Sequence, residues 1–187
     1  MTMDMHPGAD RLAALVRGVP DDALGRGTPC SEYTVGDLLD HVSGFAVGIA
    51  AAGRKDVDGM KAPSPGRATD LGEGWRTRIP AELLALASTW DDPAAYEGTT
   101  GGPLDMPAEI AAVVGIEELC IHGWDLARAL GEPFAVTTAE LDVLERFFSL
   151  FGPDERGSAY DPPVKSSTTD LLARAIALSG RDPGWRP

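Results

Sequence analysis

The sequence predicts an all-α fold, and three observations support that prediction. Apolar residues recur with helical spacing along most of the chain, whereas the alternating β-branched stretches typical of strands are almost absent. Capping and helix-ending residues flank the apolar stretches. The length of 187 residues is enough for one domain with a sizeable core. We therefore expect a single domain, with a four-helix bundle over about residues 8–131 and a helical extension over about 132–187.

The first two helices are predicted in the N-terminal part of the chain, over 8–19 and 34–53. Thr34 is a suitable N-cap for the second helix, and Asp37 three residues later completes a capping-box pattern. Gly53 is expected to end that helix. The apolar faces are formed by Leu12, Leu15, Val16 and Val19 in the first helix and by Val35, Leu38, Leu39, Val42, Phe45, Ala46 and Ile49 in the second.

A long polar connection rich in glycine and proline follows, over residues 54–76. Loops of that length in a compact domain tend to be functional or mobile. We therefore expect this connection to be mobile and to lie close to the open side of a functional site. The third helix is predicted over 79–90, with Pro80 at its first helical position.

The C-terminal half is predicted to hold three more helices. The fourth spans 106–130 and ends at Gly131, and it is apolar nearly all round, as expected of a helix at the centre of a bundle. Two further helices are predicted over 137–151 and 166–179, from the stretches "TAELDVLERFFSLF" and "TTDLLARAIALSG".

Composition and charge argue against several classes of protein. The net charge is −13, from 29 acidic and 16 basic residues, and the basic residues are scattered singly, so nucleic acid would be repelled. No uncharged apolar run reaches 18 residues, and the start "MTMDMHPGAD" has neither the basic segment nor the apolar core of a signal peptide. The two cysteines, Cys30 and Cys120, are too few for a disulfide framework. We therefore expect a cytoplasmic protein with no membrane partner.

The stretch "EELCIHGWDLA", residues 117–127, places polar groups inside the predicted central helix. Glu118, His122 and Asp125 are spaced i, i+4 and i+7, which puts them on one stripe of the helix surface. Buried charged groups need partners, so something must pair with this stripe. The i, i+4 spacing would let a carboxylate oxygen and an imidazole nitrogen reach one metal ion at about 2 Å.

The second predicted helix supplies a third candidate ligand, His41, at the edge of its apolar face. If the second and fourth helices are neighbours, His41 can face Glu118 and His122. A His–Glu–His set with open positions suits a divalent transition metal that also binds water or substrate. Asp37 and Asp125 are candidates for carboxylates that orient the imidazole rings.

Each of these groups also has a purely structural interpretation. A Glu-x-x-x-His pair is common on helices that bind no metal, and Asp125 could simply hydrogen-bond a neighbouring loop. Cys30 precedes a helix, where the dipole favours a thiolate, but we favour the alternative that it is a small buried hydrophobe. Cys120 points away from the Glu118 stripe and is expected in the core. Spacing alone therefore leaves metal binding open.

Three segments resemble motifs of one bacterial family, in the same order along the chain: "TPCSEYTVGDLLDHVSG", "EELCIHGWDLARALG" and "SGRDPGW". The family is the maleylpyruvate-isomerase-like, mycothiol-associated branch of the DinB/YfiT-like metalloenzyme superfamily, and the resemblance covers about residues 8–185. It implies a four-helix bundle that holds one metal, usually zinc, through His41, Glu118 and His122. Enzymes of this superfamily use a low-molecular-weight thiol, such as mycothiol or bacillithiol, activated at the metal.

The resemblance also implies a function in outline. We expect a metal-binding protein, with zinc as the first candidate and nickel, iron or manganese as alternatives. It would depend on mycothiol and act as a transferase or isomerase on a small electrophile, either as a monomer or as a homodimer. One alternative is a non-catalytic module that binds or senses a small molecule through its metal, and another is a polar stripe with no metal. The chain is shorter than the characterised isomerases, whose larger C-terminal domain contributes to the substrate site, so maleylpyruvate isomerisation itself is not carried over.

Overall fold

The computed structural model describes residues 2–58, 60, 64–154 and 160–187. These residues form helices and no strand, apart from two isolated bridge pairs in the loops. The prediction of an all-α fold is therefore confirmed. The helices are α1 (His6–Gly18), α2 (Val35–Gly53), α3 (Trp75–Thr89), α4 (Ala108–Leu130), α5 (Thr138–Leu150) and α6 (Leu171–Leu178).

The first four helices form a bundle in which α1 and α2 each pack against both α3 and α4. The central element is α4, since it also packs against α5, and α5 in turn packs against α6. The core contains fully buried side chains from each of the four bundle helices, among them Leu12, Leu38, Leu83, Leu86 and Leu119. Because α2 and α4 are neighbours, the condition on which the predicted site depends is met.

A capping box begins α2, as predicted. The Thr34 hydroxyl accepts a hydrogen bond from the N–H of Asp37 at 3.3 Å, and the Asp37 carboxylate accepts one from the N–H of Thr34 at 3.0 Å. By length and composition alone, α2 could cross a membrane, but 61% of its most apolar stretch is buried inside the fold. Packing in the bundle core therefore accounts for its apolar character.

The third helix begins earlier than predicted. It starts at Trp75 rather than at 79, and Pro80 lies inside it rather than at its first position. Trp75 and Ile79 are both buried one turn apart, so apolar packing extends the helix toward its N-terminus. Gly74 precedes it with φ 70°, a left-handed conformation that glycine adopts without strain. Pro80 has no N–H, so the helix lacks one backbone hydrogen bond at that position.

The last helix is shorter than predicted and starts at Leu171 rather than at 166. The Asp170 carboxylate accepts a hydrogen bond from the N–H of Ala173 at 2.7 Å, and this cap sets the start of α6. The remaining helix ends agree with the predictions to within two residues.

In the long connection before α3, the main chain of residues 66–68 lies against the first turns of α2. Its three consecutive N–H groups donate hydrogen bonds to the side chains of Tyr33, Asp40 and Asp37, at 3.2, 2.9 and 2.7 Å respectively. A Cβ atom on the first of these residues would lie 2.7 Å from the main-chain nitrogen of His41. The connection therefore does approach the predicted site. Its mobility stays a prediction, and several of its residues lie outside the described ranges.

Candidate metal centre

Three side chains from α2 and α4 converge between the two helices. His41 lies in the second turn of α2, and Glu118 and His122 lie one turn apart on α4. The Nε2 atoms of His41 and His122 lie 3.3 and 3.2 Å from the same oxygen, Oε2 of Glu118. One potential metal-binding atom from each residue lies within 4.8 Å of the other two. The structure therefore brings together the three residues that the sequence singled out.

The cluster is enclosed but not sealed from solvent. His122 is 8% exposed, whereas the side chains of His41 and Glu118 are 20% and 19% exposed. The rings of Tyr33 and Phe45 flank His41, with centroids 5.4 and 5.9 Å from the imidazole centroid. A small ligand could therefore reach the cluster from the side of His41 and Glu118.

The electrostatics of the cluster favour a bound cation. Burial opposes ionisation of Glu118, but hydrogen bonds from His122 and His41 outweigh it and hold the pKa of Glu118 well below its usual range. Burial likewise opposes a charge on His122, but hydrogen bonds to Asp125 and Glu118 outweigh it and raise the pKa of His122 to about 9. Because two carboxylates stabilise positive charge on His122, the same arrangement would stabilise a divalent ion.

Asp125 lies beside His122, as the sequence analysis proposed. Its Oδ2 atom is 3.0 Å from Nδ1 of His122, and the Asp125 side chain is completely buried. Its carboxylate also accepts hydrogen bonds from Arg181, so the proposed contact with a loop is present as well. Burial raises the pKa of Asp125, but the charge of Arg181 outweighs it and lowers the pKa below its usual value. Both interpretations of Asp125 therefore apply.

Asp37 does not take the predicted place beside His41. Its carboxylate accepts hydrogen bonds from the Thr34 side chain and from the N–H groups of Thr34 and Ala68, and these bonds lower its pKa. The first N–H groups of a helix have no partner within the helix, and a carboxylate in its first turn satisfies them. Asp37 therefore caps α2 and holds the connection before α3 instead of orienting an imidazole.

Sequence reasoning missed two residues near the centre. Glu117 is 1% exposed, and burial, with the adjacent charge of Glu118, raises its pKa to about 8. Its place in the sequence gave little sign of this, because it lies about 100° around the helix from the Glu118 stripe. Arg181 belongs to the segment "SGRDPGW", whose sequence pattern does not indicate a contact with the central helix.

The two cysteines do not supply a ready nucleophile. Burial raises the pKa of the half-buried Cys30 to about 11, so its thiol stays protonated at neutral pH. Cys120 is completely buried in the core, as predicted, and burial raises its pKa well above the usual value. Neither cysteine belongs to the cluster of candidate ligands.

The fold and the cluster together define a class of protein, an all-α bundle with a candidate His–Glu–His metal site between two neighbouring helices. Comparison with known protein families agrees with that class. The family model described as the mycothiol maleylpyruvate isomerase N-terminal domain matches residues 5–127. The chain belongs to this family. The match includes the three clustered residues and Asp125, and it ends before Arg181.

Two curated relatives come from two strains of Mycobacterium tuberculosis, and both carry the description "uncharacterized protein". Each is 31% identical to this chain over 155 residues, which is 79% of this chain and 78% of the relative. No solved structure is significantly similar to the chain.

Proposed function

We propose that this protein binds one divalent metal ion through His41, Glu118 and His122. We further propose that it uses mycothiol, as a transferase or isomerase acting on a small electrophile. The observation that carries the proposal is the approach of both imidazole Nε2 atoms to one carboxylate oxygen, at 3.3 and 3.2 Å. Family membership supports the choice of thiol, because mycothiol is part of the family's description.

The residues present fit a metal of the zinc type. Catalytic zinc sites use three protein ligands, drawn from histidine nitrogens and carboxylate oxygens, and leave one position open. Ligand atoms around a tetrahedral zinc at 2.0–2.1 Å are separated from one another by roughly 3.3 Å. The two nitrogen–oxygen separations in the cluster, 3.3 and 3.2 Å, match that spacing. Nickel, iron and manganese are alternatives, because imidazole and carboxylate ligands also suit them.

The surrounding residues prepare the site in two ways. Asp125 accepts the Nδ1 hydrogen of His122, so the proton that a metal displaces is the one on Nε2, and the Nε2 lone pair then faces the cluster. Two neutral imidazoles and one carboxylate would leave a divalent ion with a net charge of about +1, which favours an anionic further ligand. When bound, the metal would supply Lewis acidity that lowers the pKa of a coordinated thiol. Because neither Cys30 nor Cys120 belongs to the cluster, that thiol is expected to come from a cofactor.

A second candidate function is a non-catalytic module that binds or senses a small molecule through its metal. The observation that favours it is the extent of the family match, which ends at residue 127 and describes an N-terminal domain alone. The net charge of −13 supports a small-molecule partner and not nucleic acid under either function. We propose a cytoplasmic location for both functions, as a monomer or homodimer.

The test is metal analysis of the purified protein followed by titration with mycothiol. We expect about one metal ion per chain in the wild type, none in His122→Ala, and an unchanged helical circular dichroism spectrum. His6→Ala is the matched control. His6 is the first residue of α1, and it pairs with Asp91 outside the cluster. A wild-type protein without metal would leave only the structural interpretation of the stripe. Metal without thiol binding, or thiol binding without turnover of any electrophile, would favour the binding module.

A further inference from the structure

A buried arginine from the segment after α6 lies against the central helix. Arg181 is 6% exposed, and two of its guanidinium nitrogens, Nη2 and Nε, lie 3.1 and 3.3 Å from the two carboxylate oxygens of Asp125. Two-point contacts of this kind are the strong and directional form of an arginine–carboxylate pair. The Nη1 atom donates a hydrogen bond to the carbonyl oxygen of Ser179 at 3.0 Å. The guanidinium is therefore held on two sides.

The segment that carries Arg181 is built closely into the fold. Gly180 has φ +82°, and a Cβ atom there would lie 2.5–2.8 Å from atoms of Asp161, so only glycine lets the two stretches lie this close. The Asp161 carboxylate in turn accepts a hydrogen bond from the Ser31 hydroxyl at 2.9 Å, in the loop before α2. These contacts fix the position of Arg181 relative to both α2 and α4.

Asp125 connects Arg181 to the metal centre. Its Oδ2 atom is shared between Nη2 of Arg181 and Nδ1 of His122, which lies 3.0 Å away. A completely buried carboxylate needs a positively charged partner. Within the described parts of the chain, Arg181 is the basic side chain that pairs with Asp125. An imidazole held at Nδ1 by a carboxylate keeps Nε2 in a fixed direction, and Nε2 of His122 faces Glu118 at 3.2 Å, where a metal would replace its proton.

We propose that Arg181 is a positioning residue for the metal centre, acting on His122 through Asp125. The inference rests on the proposed metal-binding function and adds to it a contribution from outside the family domain. The match of the N-terminal domain model ends at residue 127, so Arg181 lies beyond the stretch that this model describes.

The test measures Zn²⁺ affinity of the full chain by competition with a chelator. Arg181→Met should weaken Zn²⁺ binding by up to about 10-fold, the low end of the effect of losing a direct outer partner, because Arg181 acts on His122 only through Asp125. Arg181→Lys keeps the charge without the planar two-point contact, so its affinity should fall between those of the wild type and Arg181→Met. In an Asp125→Asn background, Arg181→Met should cause little further loss, because the path from Arg181 to His122 is already broken.

Arg11→Met is the matched control. Arg11 pairs with Glu140, whose side chain is also buried, on the side of α4 that carries Cys120 and not Glu118. Loss of this pair should lower the stability of the fold and leave Zn²⁺ affinity unchanged. The inference is overturned if Arg181→Met changes the affinity no more than Arg11→Met does, or if it acts fully in the Asp125→Asn background.

Three further outcomes complete the test. If Arg181→Met does not fold, the Zn²⁺ affinity of Arg181→Lys is the test instead. The inference is overturned if Arg181→Lys binds Zn²⁺ as tightly as the wild type does. If the wild-type protein binds none of Zn²⁺, Ni²⁺, Fe²⁺ and Mn²⁺, the proposed function falls and the inference falls with it. If the wild type binds Zn²⁺ and both Arg181 variants bind it equally well, only the inference is lost.

Discussion

The Nε2 atom of His41 lies 3.3 Å from Oε2 of Glu118, although 77 positions of the chain separate the two residues. This contact joins α2 to α4, and His122 approaches the same oxygen from one turn farther along α4. A metal ion held by all three side chains would therefore cross-link two helices of the bundle. Its effects should be measurable in affinity, in stability and in proton release.

Replacing the shared carboxylate tests the ligand set directly. Glu118→Gln keeps the size of the side chain but removes the charge that pairs with both imidazoles. We expect Zn²⁺ affinity to fall by about 100-fold or more, because loss of a direct ligand should exceed the usual effect of losing an outer partner. Chelator competition measures the affinity. Glu109→Gln is the control, since Glu109 lies at the exposed start of α4 and pairs only with Arg146 among the described residues. Equal affinities in both variants would remove Glu118 from the ligand set.

Binding of Zn²⁺ should stabilise the folded protein by mass action. At a free Zn²⁺ concentration 100 times the Kd, the expected gain is about 2.7 kcal/mol. For a chain of this size that gain corresponds to a rise in melting temperature of roughly 5–10 °C. His41→Ala should lose the rise while its metal-free melting temperature changes much less. A thermal scan with and without Zn²⁺ tests this, and the same rise in His41→Ala would count against His41 as a ligand.

Metal affinity should depend on pH through His122. In the metal-free protein the pKa of His122 is raised to about 9, so at neutral pH its ring is protonated and a metal must displace a proton. Zn²⁺ affinity should therefore increase with pH. It should rise by about tenfold per pH unit from pH 7 toward 9 and level off above pH 9. Calorimetry in buffers of different ionisation enthalpy should show release of about one proton per Zn²⁺ at pH 7.5. An affinity that does not change between pH 7 and 9 would contradict this prediction.

The close approach of Gly66 to α2 predicts a cost for any side chain at that position. A Cβ atom there would collide with the main-chain carbonyl oxygen of Asp37 and would lie 2.7 and 2.8 Å from the main-chain nitrogen and Cβ of His41, so the backbone of the connection would have to move away. Gly66→Ala should cost about 1–3 kcal/mol of unfolding free energy and should also weaken Zn²⁺ binding, because His41 lies directly beneath. Urea unfolding measures the first effect and chelator competition the second.

Gly44→Ala is the control for that experiment. Gly44 lies on α2 three residues after His41, and a Cβ atom there would meet nothing within 4 Å. Alanine is favoured over glycine inside a helix by about 1 kcal/mol, so this variant should be neutral or slightly more stable. A loss of stability at Gly44 as large as at Gly66 would show that the effect is not specific to the contact with His41.

Local signals in the sequence were enough to predict most of the helices. The capping box of Thr34 and Asp37 involves residues three positions apart, and its geometry follows from those residues alone. Pro80 was misplaced because its preference for a first helical position is weaker than the tertiary packing of Trp75 and Ile79. Helix ends that depend on packing are less visible in the sequence than ends that depend on a cap.

The candidate site shows the same limit. The pair Glu118 and His122 could be placed on one stripe by helical periodicity, but the position of His41 depends on α2 and α4 being neighbours. Family resemblance supplied that information where periodicity could not. The contact between Asp125 and Arg181 spans 56 positions and depends on how the C-terminal segment folds back, so no pattern in the sequence indicated it.

The three hydrogen bonds from residues 66–68 to Tyr33, Asp37 and Asp40 have a consequence for how this protein can vary in evolution. They hold residues 66–68 against the start of α2, beside His41. Relatives can therefore lengthen or shorten the part of the connection that precedes residue 66 while His41, Glu118 and His122 keep their arrangement. Such changes would alter which small molecules can reach the cluster beside His41. Insertions after residue 66 would break the attachment itself and should be rare.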